Sequence, residues 1–217
     1  DMTKKITDFY NVNYHEVLTG FKYIGEKIKN FEETGSETYL FGFEESYGCL
    51  AGTYARDKDA VVATMLICEL AAYYKDRNMN LLDGINELYE KYGYYKETIE
   101  SITLKGVDGL KNIRKIMDGL RRNAPKQLNG IKFIEFRDYK ERTLKNLLTD
   151  EVSDITLPVS DVLYYVLEDE SWFCIRPSGT EPKIKIYFGS KGNNHKEVDE
   201  KLSLLVKGAM DLVNSQL

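Results

Sequence analysis

Two strand-type runs lie only a short segment apart, and that closeness constrains the fold more than any other feature of the chain. Ser171-Trp172-Phe173-Cys174-Ile175 is rich in aromatic and branched residues, and Ile184-Lys185-Ile186-Tyr187-Phe188 alternates apolar and polar positions with period two. The segment between them, Arg176-Pro177-Ser178-Gly179-Thr180-Glu181-Pro182-Lys183, is therefore held at both ends by a strand-like run. It gathers a guanidinium, two hydroxyls, a glycine and an ammonium into one turn. Gly179 admits a backbone in which successive N–H groups converge, Arg176 can meet two phosphate oxygens with parallel hydrogen bonds, and Ser178 and Thr180 add short donors. This is the outline of an anion cradle; the residues alone leave open a surface turn with a solvated arginine.

A second feature lies far upstream. Thr38-Tyr39-Leu40-Phe41-Gly42-Phe43 reads as a buried strand leading into Glu44-Glu45-Ser46-Tyr47-Gly48, which sets two carboxylates and a hydroxyl at a strand end. Carboxylates so mounted can accept paired hydrogen bonds from vicinal hydroxyls, as sugar recognition requires. Arg56-Asp57-Lys58-Asp59 follows, and then the apolar run Ala60 to Tyr74, which is expected to be a buried helix capped by acidic residues. Lys58 falls near that helix's N-terminus, where a cation is unfavourable for the helix but suited to an anionic ligand.

The remaining pattern predicts helices over Met2 to Tyr10, Gly20 to Phe31, Leu81 to Tyr92, Asp108 to Arg122 and His195 to Val213. It predicts strands over 99–104, 131–136 and 162–167, with 137–161 as a polar connection. In the last helix Val198, Leu202, Leu205, Val206, Ala209 and Val213 share one stripe. Helices on one face of a mainly antiparallel sheet result, with Tyr92-Gly93-Tyr94-Tyr95 as hinge or interdomain packing. The net charge of −5 over 217 residues argues against a general nucleic-acid surface, and no apolar stretch is long enough to cross a bilayer. Cys49, Cys68 and Cys174 lack the close spacing of zinc sites and are expected to be reduced and buried. His15 and His195 read as surface or capping residues.

Other chemistries fit poorly. Ser46 is not in a nucleophile elbow, because Glu44 occupies the position two before it. Glu44 and Glu45 are adjacent in a strand and point apart, so they cannot flank one glycosidic bond. The tyrosines at 73, 74, 89, 92, 94 and 95 suit packing better than nucleotide stacking.

Taken together, these stretches resemble the α-D-phosphohexomutase family, the phosphoglucomutases and phosphomannomutases. Thr19-Gly20-Phe21-Lys22 is similar to the family's third-domain loop, Glu44-Glu45-Ser46 to its sugar-binding loop, Arg56-Asp57-Lys58-Asp59 to the basic segment that follows, and Arg176 to Lys183 to its fourth-domain phosphate loop. The resemblance implies an α/β plus α+β fold: a truncated three-layer α/β sugar-binding domain over 1–95, then a small phosphate-binding domain over 96–217 with an antiparallel sheet and helices on one face. The family's phosphoserine segment and its Asp-x-Asp-x-Asp metal loop have no counterpart in the sequence, so the resemblance implies a C-terminal part of a cytoplasmic enzyme, inactive alone and completed by N-terminal domains. Substrate binding is then expected from Thr19, Gly20, Glu44, Ser46, Lys58, Arg176, Ser178, Gly179 and Thr180, with no catalytic or metal residue in this chain. Mg2+ and glucose 1,6-bisphosphate are implied for the whole enzyme, and a phosphosugar, rather than nucleic acid or membrane, as partner. The Phe43 to Gly48 loop resembles the glucose-handling branch; a phosphomannomutase, a dual-specificity mutase and a stand-alone phosphosugar-binding module are the alternatives.

Overall fold

The computed structural model describes residues 1–44, 48–104, 108–179 and 181–217. Its contacts divide the chain into two compact units, one of Ile6–Lys91 and one of Asp1–Lys5 with Tyr92–Leu217. Helix α1 (Met2–Phe9) runs across the first division.

In the unit of residues 6–91, α2 (Phe21–Thr34) buries Phe21, Ile24, Ile28 and Phe31, a spacing that places them on one helical stripe. The helix ends at Gly35, whose φ of 62° lets its N–H bond to the Phe31 carbonyl at 2.8 Å. Strands β1 (Phe41–Glu44) and β2 (Gly48–Ala51) pair antiparallel, and Leu50 joins Phe21, Ile24 and Ile28 in a small core. Then come α3 (Ala60–Asp76) and α4 (Leu81–Tyr92). Asp59 caps α3 by accepting from Val61 N at 2.7 Å and Val62 N at 3.3 Å.

Two expectations for this unit need correction, and a third for the cysteines of both units. The strand at 38–43 is not buried: it begins at Phe41, and Phe41 and Phe43 are both exposed. Helix α3 forms where expected, yet Tyr74 is its only buried residue, and Val61, Met65 and Ile67 are exposed. A helix that is apolar all round has no preferred face, and here a two-stranded sheet can cover only a fraction of it. The cysteines follow suit: Cys68 on α3 is exposed and Cys49 and Cys174 are half-buried, so none is fully buried.

The second unit opens with β3 (Tyr94–Thr103), which takes in Tyr94 and Tyr95 as strand rather than hinge residues. It continues with α5 (Gly109–Arg122), β4 (Gln127–Leu128), β5 (Ile131–Asp138), β6 (Thr143–Asn146), β7 (Val152–Asp154), β8 (Leu163–Leu167), β9 (Trp172–Pro177), β10 (Lys183–Gly192) and α6 (His195–Asn214). The sheet order is β3-β10-β9-β8-β5-β6-β7, with β4 paired to β5 and every pairing antiparallel. Strands β6 and β7 occupy the stretch expected to be a polar connection. They are short and carry no apolar alternation, so only the pairing of β6 to β5 and of β7 to β6 reveals them.

One sheet face packs on α5 and α6 around Phe173, whose ring lies 4.8 Å from Tyr165 and 5.9 Å from Phe133 between centroids. Helix α6 contributes Val198, Leu202, Leu205, Ala209 and Val213 of the stripe read from sequence, with Val206 of that stripe only partly buried against the core. Each large apolar side chain so buried stabilises by about 1.5–3 kcal/mol. Gly208 is needed for a close approach: a Cβ there would lie 2.7 Å from Asn129 Nδ2, which donates to the Leu204 carbonyl at 2.8 Å and ties the β4–β5 turn to the helix.

The start of α6 is doubly capped. Asn194 accepts from Glu197 N at 2.9 Å, and Glu197 returns an oxygen to Asn193 N at 2.8 Å while pairing with Lys201 at 2.8 Å. Lys201 foremost, then Asn193, holds the Glu197 carboxyl at a pKa of about 2, below its ordinary 4.5. A depressed folded-state pKa contributes stability above the unfolded value, and that contribution is lost as pH falls from about 5 through 2. Glu197→Gln should therefore flatten the acid limb of a Tm-against-pH curve in that window; an unchanged limb would show that the cap does not titrate with folding.

Candidate functional site

The expected site residues fall into two groups, one in each unit. Ser46 and Thr180 lie outside the described residues.

In the unit of residues 6–91, Glu44 ends β1 and Lys58 stands one residue before the cap of α3. Lys58 Nζ reaches Glu44 Oε2 at 3.2 Å and Asp57 Oδ1 at 3.1 Å, and lies 5.3 Å from the centroid of the Phe21 ring. Phe21 directly follows Thr19 and Gly20, so the loop before α2 borders the same cluster. Gly20 occupies the N-cap position with φ 127° and makes no side-chain cap. The Glu44 side chain is only 14% exposed against 41% for Lys58, which leaves the ammonium as the outward group. Asp57 first and Glu44 second hold the Lys58 pKa above its ordinary value. The ammonium is therefore charged at neutral pH and already faces carboxylates.

The backbone around Lys58 is firmly seated. Asp59 N donates to the Cys49 carbonyl at 2.9 Å, the Tyr54 hydroxyl donates to Asp59 Oδ2 at 2.5 Å, and Lys58 N donates to Asp57 Oδ1 at 2.7 Å. The basic segment is thus stitched to β2 on one side and to α3 on the other. Arg56 is turned to another task, pairing with Glu32 of α2 and donating to the Thr53 carbonyl at 2.6 Å.

In the other unit, β9 and β10 flank the loop at 178–182, as their sequences predict. Ser178 N donates to the Lys183 carbonyl at 2.8 Å, Ser178 Oγ accepts from Glu181 N at 3.2 Å, and Pro182 O accepts from Leu104 N at 2.9 Å. The expectation of converging N–H groups needs adjustment, because Ser178 N and Glu181 N are both used inside the loop. Gly179 does not adopt a left-handed φ, and a Cβ there would meet nothing within 4 Å. Its contribution is open space above the loop rather than an unusual backbone.

The sheet register adds residues that the sequence reading missed. Arg176 pairs with Lys185, Lys185 with Ser101, and Lys183 with Thr103, so all five share the face turned away from the core residues Ile175, Ile184 and Ile186. Arg176 is half-buried, and among the described residues Arg176, Lys183 and Lys185 have no side-chain hydrogen bond or ion pair. Like charges directly opposite on adjacent strands repel, and these three cations, without such a partner among the described residues, lie together beside the loop that follows Ser178. The alternation Lys183-Ile184-Lys185-Ile186 is visible in the sequence; which strand lies opposite is not.

Fold and site together define a two-unit protein that pairs a carboxylate–lysine cluster beside a small strand pair with a cationic loop on an antiparallel α+β sheet. Residues 1–92 match the family model for phosphoglucomutase/phosphomannomutase, alpha/beta/alpha domain III, and residues 121–200 match that for the C-terminal domain. The chain belongs to the phosphoglucomutase/phosphomannomutase family. It is similar to the phosphoglucomutase of Staphylococcus aureus, with 38% identity over 206 residues to the protein of the bovine strain RF122 and 37% to that of strain N315. In both cases the match covers 95% of this chain and 37% of the relative, so the chain spans little more than a third of the length of these curated relatives. The open form of parafusin, an exocytosis-sensitive phosphoprotein and phosphoglucomutase from Paramecium, shares the fold, with a TM-score of 0.67, 17% identity and coverage of 97% of this chain and 35% of that one.

Proposed function

We propose that this chain supplies the sugar- and phosphate-binding parts of a phosphoglucomutase that interconverts glucose 1-phosphate and glucose 6-phosphate through glucose 1,6-bisphosphate. The observation that carries the reading is Arg176, which has no side-chain hydrogen bond or ion pair among the described residues and stands opposite Lys185 beside the loop after Ser178. Arg176 grips the phosphate that is not being transferred, assisted by Lys185, the Ser178 and Thr180 hydroxyls and the open Gly179 backbone. Glu44 and Ser46 accept and donate to ring hydroxyls presented in either orientation of the bisphosphate. Lys58 adds positive charge near the substrate phosphate, and Thr19 and Gly20 shape the wall next to Phe21. These are positioning roles, and positioning supplies much of the barrier reduction in phosphoryl transfer.

The phosphoserine is assigned to a part of the protein beyond these residues, in line with the length of the relatives. Magnesium is assigned there too, with the metal loop that the resemblance implies for the whole enzyme; among the described residues no group of three or more His, Cys, Asp or Glu could hold a metal ion. Among the described residues no helix is long and apolar enough to cross a membrane. The reading places the enzyme in the cytoplasm with a phosphosugar as its partner.

The test is direct. The purified 217-residue chain should bind glucose 1,6-bisphosphate in a calorimetric titration and show no mutase turnover of glucose 1-phosphate with that activator. Turnover free of contaminating enzyme would place the nucleophile inside this chain and sink the assignment; absence of binding would remove the phosphosugar role from these residues taken alone.

A further inference from the structure

We propose that Gly48 is a positioning residue: its missing side chain makes the shelf on which the Lys58 stem lies, and so delivers the ammonium to Glu44. The inference rests on reading Lys58 and Glu44 as substrate contacts. Gly48 is the register partner of Glu44 across the β1–β2 hairpin, so anything built on position 48 stands beside that carboxylate. A Cβ added there would lie 1.9 Å from Lys58 Cδ, 2.5 Å from Cγ and 3.1 Å from Cβ. The overlap involves the middle of the stem and reaches its root, so flexing the tip of the lysine does not relieve it.

The backbone of Lys58 has no room to retreat either. The next residue is held by Asp59 N on the Cys49 carbonyl, by the caps to Val61 N and Val62 N, and by the Tyr54 hydroxyl. A side chain at 48 must therefore swing Lys58 off the hairpin and break its 3.2 Å contact with Glu44. Gly48 lies outside the left-handed φ region, so an L-residue meets no backbone strain at this position. The glycine is present for the space that the lysine occupies. Any residue larger than glycine would leave both functional groups in the sequence and take them out of register with each other.

The experiment compares the parent chain with Gly48→Ala, Lys58→Ala and the double variant. Lys58 acylation by acetic anhydride is followed by mass spectrometry, with the exposed Lys29 as internal reference. Gly48→Ala should make Lys58 react about two- to fivefold faster, as expected for release of a partly exposed charged contact. It should also lower Tm, whereas adding Gly48→Ala to Lys58→Ala should cost much less, because the Cγ and Cδ atoms of the severe overlap are gone and only the 3.1 Å approach to Cβ remains. Unchanged Lys58 reactivity, or Tm losses that simply add, would overturn the proposal. If Gly48→Ala does not fold, the double variant decides: recovered folding supports the shelf, and continued failure refutes it. A parallel titration with glucose 1,6-bisphosphate separates the two claims. Absence of binding in the parent chain would remove the substrate role while the reactivity of Lys58 still tests the shelf.

Discussion

Arg121→Met is expected to destabilise the sheet unit by about 3–5 kcal/mol, the cost of leaving a buried charge without its partner. Arg121 at the end of α5 donates from Nε to Asp138 Oδ2 at 2.7 Å, from a second nitrogen to Asp161 Oδ1 at 2.7 Å, and lies 3.3 Å from Asp118. The Asp138 side chain is 3% exposed. Its other oxygen accepts from Lys140 N at 3.0 Å and Glu141 N at 3.3 Å, which turns the chain out of β5. Methionine matches the length of the arginine stem and cannot neutralise that carboxylate. One guanidinium thus fastens α5, the end of β5 and the entry to β8, the three points between which 139–162 is suspended. Urea unfolding measures the loss, and Arg121→Met combined with Asp138→Leu should recover much of it, since removing both charges leaves no buried ion. A single-variant loss below about 1 kcal/mol would show that water reaches the site in solution.

Arg176→Ala is expected to weaken glucose 1,6-bisphosphate binding about 30- to 150-fold, corresponding to about 2–3 kcal/mol for losing a charge-assisted fork contact at a partly buried site. Because Arg176 has no ion pair or side-chain hydrogen bond with a described residue, the same change should leave Tm nearly unaltered. That combination distinguishes a ligand contact from a structural arginine such as Arg121. Arg176→Lys should fall between, keeping the charge and losing the planar fork. Lys185→Gln should cost less than Arg176→Ala and should reduce the salt dependence of binding, since it removes a cation from the same patch. A large Tm loss in Arg176→Ala with binding intact would move this residue out of the site and into the scaffold.

Much of the fold was legible because local pattern and tertiary environment agree. In α6 the apolar stripe read from the sequence is the face the helix buries, and the structure extends the helix only to Asn214. The β9–β10 hairpin was equally plain, since its alternation matches the buried and open faces of the sheet. Strands β6 and β7 were hidden, as their residues take strand geometry only because β5 offers an edge to β6 and β6 offers one to β7. Apolar content also misled at α3 and at β1, because hydrophobicity records what a segment can bury and not what stands beside it.

The candidate site divides along the same line. Residue identity by itself determined the ingredients: an arginine and hydroxyls in a hairpin loop, a carboxylate at a strand end, a lysine before a helix cap. It did so because those chemistries are carried by single side chains at fixed local spacings. Only the tertiary structure decided that Lys185 stands opposite Arg176, that Lys58 pairs with Glu44, and that Gly48 makes room for it. Those relations join residues that are distant along the chain through strand register and loop path, and neither can be read from local spacing. The physical reason is that a side chain's type travels with the sequence, whereas its neighbours are set by which backbones find each other's hydrogen bonds.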